Sequence, residues 1–158
     1  KTIAQYNDEN RDIELSSPRE YALGLSHKHL PEMVRECGLS QAPLFNPIIC
    51  DFYSGMCVTV PLFTNLLNKK MTVESLRSYF AEYYAEQKLV KVANEEEVPS
   101  FLASNALTGT NGLKIYVSGN DERIFIASVF DNLGKGASGA AVQNMNIMFG
   151  LDECTSLT

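Results

Sequence analysis

The chain is 158 residues long, 45% hydrophobic and 20% charged, which suits a single folded domain (1–158) whose core removes roughly 70% of the unfolded surface from water. A net charge of −6, with 13 Lys and Arg scattered along the sequence, argues against nucleic acid or an anionic membrane as a partner. No apolar run approaches the ~18 residues of a membrane-spanning helix and no secretory leader is expected. Four cysteines without a C-x-x-C pair (Cys37, Cys50, Cys57, Cys154) predict reduced, mostly buried thiols rather than a disulfide framework.

The chain opens at Lys1 without an initiator methionine, so a piece of a longer polypeptide is expected. Residues Lys1–Ser17 are polar, with Asn-Asp-Glu-Asn at Asn7–Asn10, and read as a loop or fraying arm. A strand is predicted over Glu20–Leu25 and a short helix over Pro31–Cys37, with Pro31 in its first turn and Gly38 closing it. Between them stand both histidines of the chain, His27 and His29. On an extended backbone positions i and i+2 share a face, so the two rings are expected to project together. Glu32, in the first helical turn, is placed to accept from a ring N–H and fix its tautomer. Three readings stay open for this stretch: a hydrogen-bonded structural pair, a metal site of a His-x-His hydrolase lacking any further Cys/His cluster, and general acid/base chemistry.

Leu44–Asp51 and Gly55–Leu62 are β-branched and apolar and are expected to pair with each other across Phe52-Tyr53-Ser54, with Pro47 and Pro61 marking edges or irregularities. The periodicity predicts a helix over Thr72–Gln87, with Thr72 as N-cap and Val73, Leu76, Phe80, Tyr83 and Tyr84 on its core face. A strand Leu89–Ala93 follows, then a solvated loop at Glu95–Glu97 and a polar, turn-like stretch Ser104–Gly112. Leu113–Ser118 and Arg123–Phe130 form a hairpin around Gly119-Asn120-Asp121, and a last helix Ala140–Phe149 stops at Gly150. Hairpin connections dominate, which predicts an α+β fold with a mostly antiparallel mixed sheet covered by helices.

Gly134-Lys135-Gly136-Ala137-Ser138-Gly139 matches G-x-G-x-x-G, follows a strand and opens a helix. A dinucleotide fingerprint also needs a parallel strand with an acidic residue about twenty positions on, and no strand remains, so a Rossmann reading is rejected. Free N–H groups at the helix start, together with Lys135, favour an anion or a polar cofactor group; close helix–sheet packing is the other reading of the glycines.

Tyr21, His27-Lys28-His29-Leu30-Pro31-Glu32-Met33, Asp51-Phe52-Tyr53-Ser54-Gly55-Met56, Val58-Thr59-Val60-Pro61, Asn105-Ala106-Leu107, Asn111-Gly112-Leu113 and the run Asp131–Asn144 resemble the N-acetyl-γ-glutamyl-phosphate reductase family, in order, from about Tyr21 to Glu153. The resemblance implies a glyceraldehyde-3-phosphate dehydrogenase-like C-terminal domain with catalytic and dimerisation roles, an oxidoreductase of arginine biosynthesis, and reduction of N-acetyl-glutamyl phosphate to its semialdehyde by NADPH through a cysteine thioester. It implies His27 as acid/base, His29 and Glu32 as its support, and Asn132, Gly134, Lys135 and Gly136 as cofactor-facing residues. It further implies a homodimer or homotetramer, a cytoplasmic location (or an organelle in a eukaryote), and an NADP-binding Rossmann domain elsewhere in the same polypeptide. Two departures stand out. The family's Gly-Cys-Tyr-Pro-Thr-type nucleophile motif is not found, and Ala140 stands where many relatives have Gln. The chain alone is therefore expected to be inactive, and a non-catalytic dimerisation module is the alternative role.

Overall fold

The computed structural model describes residues 2–157 and divides into two compact units, Lys1–Phe52 and Tyr53–Thr158. The first unit holds α1 (Thr2–Tyr6), a 3-10 turn (Ile13–Ser16), β1 (Arg19–Glu20), α2 (Leu30–Cys37) and β2 (Ile48–Ile49). The polar opening is thus partly helical rather than a loose arm, with Lys1 itself outside the described residues. Arg11 ties it down: the guanidinium donates to the Tyr6 carbonyl, to Ser16 Oγ and, at 2.6 Å, to Asp51 Oδ2.

The strand expected over Glu20–Leu25 covers only Arg19–Glu20, paired antiparallel with Ile48–Ile49. Beyond it the chain turns, with the Leu25 N–H donating to the Ala22 carbonyl at 2.9 Å and both residues in the left-handed region (φ 54° and 51°). The helix after the histidines is as expected, Gly38 closing it at φ 61° with its N–H on the Arg35 and Val34 carbonyls. Only glycine adopts that conformation without steric cost, so the cap fixes the helix end.

The second unit is a four-stranded sheet in the order β3 (Met56–Phe63), β6 (Arg123–Phe130), β5 (Leu113–Gly119), β4 (Val90–Val92). β3–β6 and β5–β6 are antiparallel and β4–β5 is parallel, so the fold is α+β on a mixed, mostly antiparallel sheet, as predicted. The expected pairing of Leu44–Asp51 with Gly55–Leu62 does not form; β2 and β3 each pair within their own unit. β3 instead matches β6 over all eight of its positions, from Met56↔Phe130 to Phe63↔Arg123. Pro61 is tolerated because β3 is an edge strand.

One face of this sheet is covered by α3 (Val73–Tyr83). Its start is a reciprocal cap: Ser75 N–H donates to Thr72 Oγ1 at 3.1 Å and Thr72 N–H to Ser75 Oγ at 2.8 Å. Leu76 packs with Ile115, Val117 and Ile124, and Val73, Phe80 and Tyr84 flank them. Tyr83 is a correction: it is 67% exposed and stacks on Tyr79, whereas Tyr84, four residues after Phe80, takes the core position. A step of about 100° per residue cannot hold both tyrosines against the sheet. On the same sheet face, Met56, Val58 and Val60 of β3 remain exposed. The hairpin β5–β6 is as expected, closed by Gly119 at φ 120°, where a Cβ would sit 2.3 Å from the Arg123 carbonyl oxygen.

All four cysteines are free, and the expectation of mostly buried thiols is corrected: Cys37 is exposed and the others are half-buried. No helix among the described residues is long and apolar enough to cross a membrane.

Candidate functional site

The histidines of the first unit lie on a tight turn rather than on an extended strand. The Leu30 N–H donates to the His27 carbonyl at 3.1 Å, and His29 has φ −81° and ψ −11°. The turn still brings the rings together, 4.8 Å apart and edge to face, because it folds position i back over position i+2. His27 also meets Phe45 at 5.1 Å and Tyr21 at 6.0 Å, so it is half-buried in an aromatic setting while His29 is exposed. His27 Nδ1 accepts from the His29 main-chain N–H at 3.2 Å. Glu32 is in the first turn of α2 but exposed, and among the described residues no hydrogen bond joins it to either ring. Among the described residues no group of three His, Cys, Asp or Glu is arranged to hold a metal ion, so the His-x-His pair lacks a third protein ligand there.

The glycine-rich run of the second unit is not a loop. Gly134–Ser138 forms a π-helical turn that runs into α4 (Gly139–Met148), and Gly150 closes the helix at φ 68°. Its early N–H groups are not free, because Asp131 takes them. Asp131 Oδ1 accepts from Leu133 and Gly134 N–H at 2.7 and 2.8 Å. Oδ2 accepts from Gly109 N–H at 2.6 Å and from Ser54 Oγ at 2.9 Å. Only 3% exposed, this carboxyl is held down at about 2, chiefly by the N–H groups of Gly109 and Gly134. The expected anion at this helix start is therefore the chain's own carboxylate.

Three segments meet at the end of the sheet where β3 and β5 begin and β6 ends. Asn132 Oδ1 accepts from Gly55 N–H at 2.7 Å, and Thr108 Oγ1 donates to the Ser54 carbonyl at 2.7 Å. The glycines serve this closeness: a Cβ on Gly134 would sit 2.7 Å from the Thr110 carbonyl oxygen, and one on Gly139 only 1.8 Å from Asn111 Oδ1. Gly136 is different, being exposed on its outer side with the Phe130 ring 3.2 Å from a notional Cβ. Lys135 is half-buried and donates to Gln143 Oε1 at 2.7 Å, while Gln143 Nε2 donates to Glu153. With Leu133 and Gly134 N–H on Asp131 Oδ1, Gly136 N–H on the Asp131 carbonyl and Lys135 on Gln143, these residues do not fit a phosphate at the helix start.

Sequence reasoning placed His27, His29 and the glycine run but missed Asp131 and Ser54. The available signal was an Asp directly after an apolar strand and just before a helix start, where Asx side chains accept from N–H groups two or three positions on. Burial pushes the Cys57 thiol up, away from the thiolate.

A family model described as semialdehyde dehydrogenase, dimerisation domain, matches residues 5–132. The N-acetyl-gamma-glutamyl-phosphate reductase of Sinorhizobium fredii is 40% identical over 149 residues, covering 92% of this chain and 48% of the relative. N-acetyl-gamma-glutamyl-phosphate reductase 2 of Nostoc sp. is 40% identical over 97% of this chain and 51% of its own length, and the reductase of Allorhizobium ampelinum 42% over 92% and 49%. The chain spans about half the length of the curated relatives it matches. The expected glyceraldehyde-3-phosphate dehydrogenase-like α+β fold and the resemblance of the motifs are both upheld. The chain belongs to the semialdehyde dehydrogenase family, in the part described as its dimerisation domain.

Proposed function

We propose that this chain is the catalytic and dimerisation part of an NADPH-dependent N-acetyl-γ-glutamyl-phosphate reductase, acting in arginine biosynthesis in the cytoplasm or, in a eukaryote, an organelle. The observation that carries the reading is the 40% identity over 149 residues to a reductase of that name, running through the His27–Glu32 turn. In this reading the Rossmann domain and the nucleophilic cysteine come from the rest of a longer polypeptide. NADPH, when bound, supplies the hydride.

His27 is the acid/base residue, half-buried among Tyr21, Phe45 and His29, where exclusion of water strengthens its hydrogen bonds to the substrate. His29 supports it through the turn, and Glu32 contributes negative charge at the start of α2. Of the cofactor-facing residues, Asn132 and Gly134 hold the turn in place, while Gly136 offers an exposed position without a Cβ and Lys135 an ammonium group beside Gln143.

The test is kinetic, in the full-length enzyme. His27→Ala is expected to lower kcat by ~10²–10⁴-fold with little change in the KM for NADPH, the usual loss for a positioned acid/base group. A larger loss from His29→Ala would reverse the roles within the pair, and no loss from either would return the turn to a purely structural part.

Assembly is supported by a separate observation, the apolar strip Met56, Val58 and Val60 left exposed on the α3 side of the sheet edge. An exposed run of this kind suits burial against a second copy, as a homodimer or within a homotetramer.

A further inference from the structure

We infer that Gln143 and Glu153 are positioning residues for the cofactor-facing turn. By tethering Lys135 they hold the π-helical turn Gly134–Ser138 in register, and with it the direction in which Gly136 faces; this rests on the reductase reading above. Lys135 Nζ donates to Gln143 Oε1 at 2.7 Å, and Gln143 Nε2 donates to Glu153 Oε2 at 2.7 Å. All three residues are half-buried. Their chemistry fixes the order of the bonds. An ammonium only donates and a carboxylate only accepts, so the amide between them has one orientation that satisfies both. Glu153 is brought back onto α4 by Asn146, only 2% exposed, whose Nδ2 donates to the carbonyls of Glu153 and Thr155 at 3.1 and 2.9 Å.

The π-turn is what makes the tether possible. In an uninterrupted α-helix, residues eight apart lie about 80° out of line, because each step turns the chain about 100°. The turn here bonds five residues back. Gly136 N–H donates to the Asp131 carbonyl at 2.8 Å, Ser138 N–H to that of Leu133 at 3.0 Å, and Gly139 N–H to that of Gly134. Such a turn absorbs one extra residue. Lys135 and Gln143 are then spaced as seven α-helical steps, about 20° from a common line, and their side chains meet. The converse also holds: were the turn to relax to α-helical spacing, Lys135 would swing away from Gln143, so the tether opposes that relaxation. The near end of the turn is pinned by Asp131, which holds the Leu133 and Gly134 N–H groups, and the Ser138 hydroxyl adds a bond to the Leu133 carbonyl at 2.8 Å. Exposed Gly136 lies between the two anchors. Both its neighbours, Lys135 and Ala137, carry a Cβ, so a shifted register puts a side chain where the backbone is now bare.

Amide exchange on the purified chain reads the turn directly. Gln143→Met keeps the length of the side chain and removes both amide groups. Exchange of the Ser138 and Gly139 N–H groups should quicken about fivefold or more, the equivalent of one ordinary intramolecular hydrogen bond. Amides of the β5–β6 hairpin are the control and should not change. Unchanged exchange at Ser138 and Gly139, or equal quickening in the hairpin, overturns the inference. In the full-length enzyme the same variant should raise the KM for NADPH about fivefold with kcat preserved. A fall in kcat with that KM unchanged overturns it as well. A charge swap supplies a rescue that does not depend on the methionine variant folding. Gln143→Glu alone sets two carboxylates against each other and should raise the KM for NADPH. Adding Glu153→Gln restores an acceptor for Lys135 with a donor behind it, and should return KM to the wild-type value. A double variant no better than Gln143→Glu alone would refute the tether. Failure of the reductase reading shows separately, as an absence of NADPH-linked turnover in the full-length wild type while the exchange difference persists.

Discussion

Asp131 keeps its charge in a site only 3% exposed because N–H groups of Gly109, Leu133 and Gly134 and the Ser54 hydroxyl surround it, and this dictates how the protein meets acid. Its carboxyl is lowered from 3.8 to about 2. An unfolded chain would protonate that group near its ordinary value while the folded one stays ionised. The stabilisation is therefore complete above about pH 4 and disappears as the pH falls through about 2. Melting curves between pH 2 and pH 6 should show Tm falling across that window. Asp131→Asn should flatten the acid limb and lower Tm at neutral pH, because an amide presents donors where Gly109 or Ser54 also donates; superposable acid limbs would show that Asp131 carries none of it. Leu25 offers an opposite case, held exposed at φ 51°. Leu25→Gly should raise stability by up to about 1 kcal/mol, since left-handed strain of roughly 1–2 kcal/mol exceeds the added chain entropy of glycine. The histidines and the cap at Gly38 were legible because their signals are local. Of Asp131 only the local half was legible, its bonds to the N–H groups of Leu133 and Gly134; the donors Ser54 and Gly109 come from far away in sequence.

At the scale of elements, α3 and the β5–β6 hairpin could be read directly, since each is specified by its own periodicity, its caps and a tight turn. Thr72→Ala should cost about 1 kcal/mol in thermal or denaturant unfolding, the ordinary loss for an N-cap hydroxyl, with Ser75 losing its reciprocal partner. β1, β2 and the partner of β3 were misread because pairing is a contact between distant segments, and no pattern within Gly55–Leu62 names Arg123–Phe130 as its mate. The glycine run stayed between two readings for a different reason: G-x-G-x-x-G records a need for closeness but not what comes close. Gly139→Ala should destabilise far more than Gly136→Ala, because its Cβ would overlap Asn111 Oδ1 at 1.8 Å whereas that of Gly136 meets the Phe130 ring at 3.2 Å. Equal Tm losses in the two variants would show that close packing is not what distinguishes these positions.

At the scale of the whole molecule, the chain spans about half the length of the curated relatives it matches, and the proposed division of labour assigns the nucleophile to the rest of the polypeptide. The purified chain mixed with NADPH and N-acetyl-glutamyl phosphate should show no NADPH oxidation, and turnover above a heat-killed control would refute the proposed division of labour. The assembly surface has its own test. Val58→Lys places a charge in the exposed strip of β3 without touching the buried core, so light scattering should report a smaller species at unchanged Tm. An unchanged mass would move the assembly surface elsewhere.

The pairing of β3 with β6 has a consequence in time. On the ribosome β3 emerges first, and its sheet partner β6 is not made until α3, β4, the turns of Ser104–Gly112 and β5 have been synthesised. At roughly 5–20 residues per second that is a wait of several seconds, during which an apolar strand has no mate. The β5–β6 hairpin, by contrast, can close within microseconds of leaving the tunnel. The nascent chain thus has a vulnerable interval that the finished molecule does not show, and Pro61 within β3 interrupts the run most prone to pair with a neighbouring copy during it.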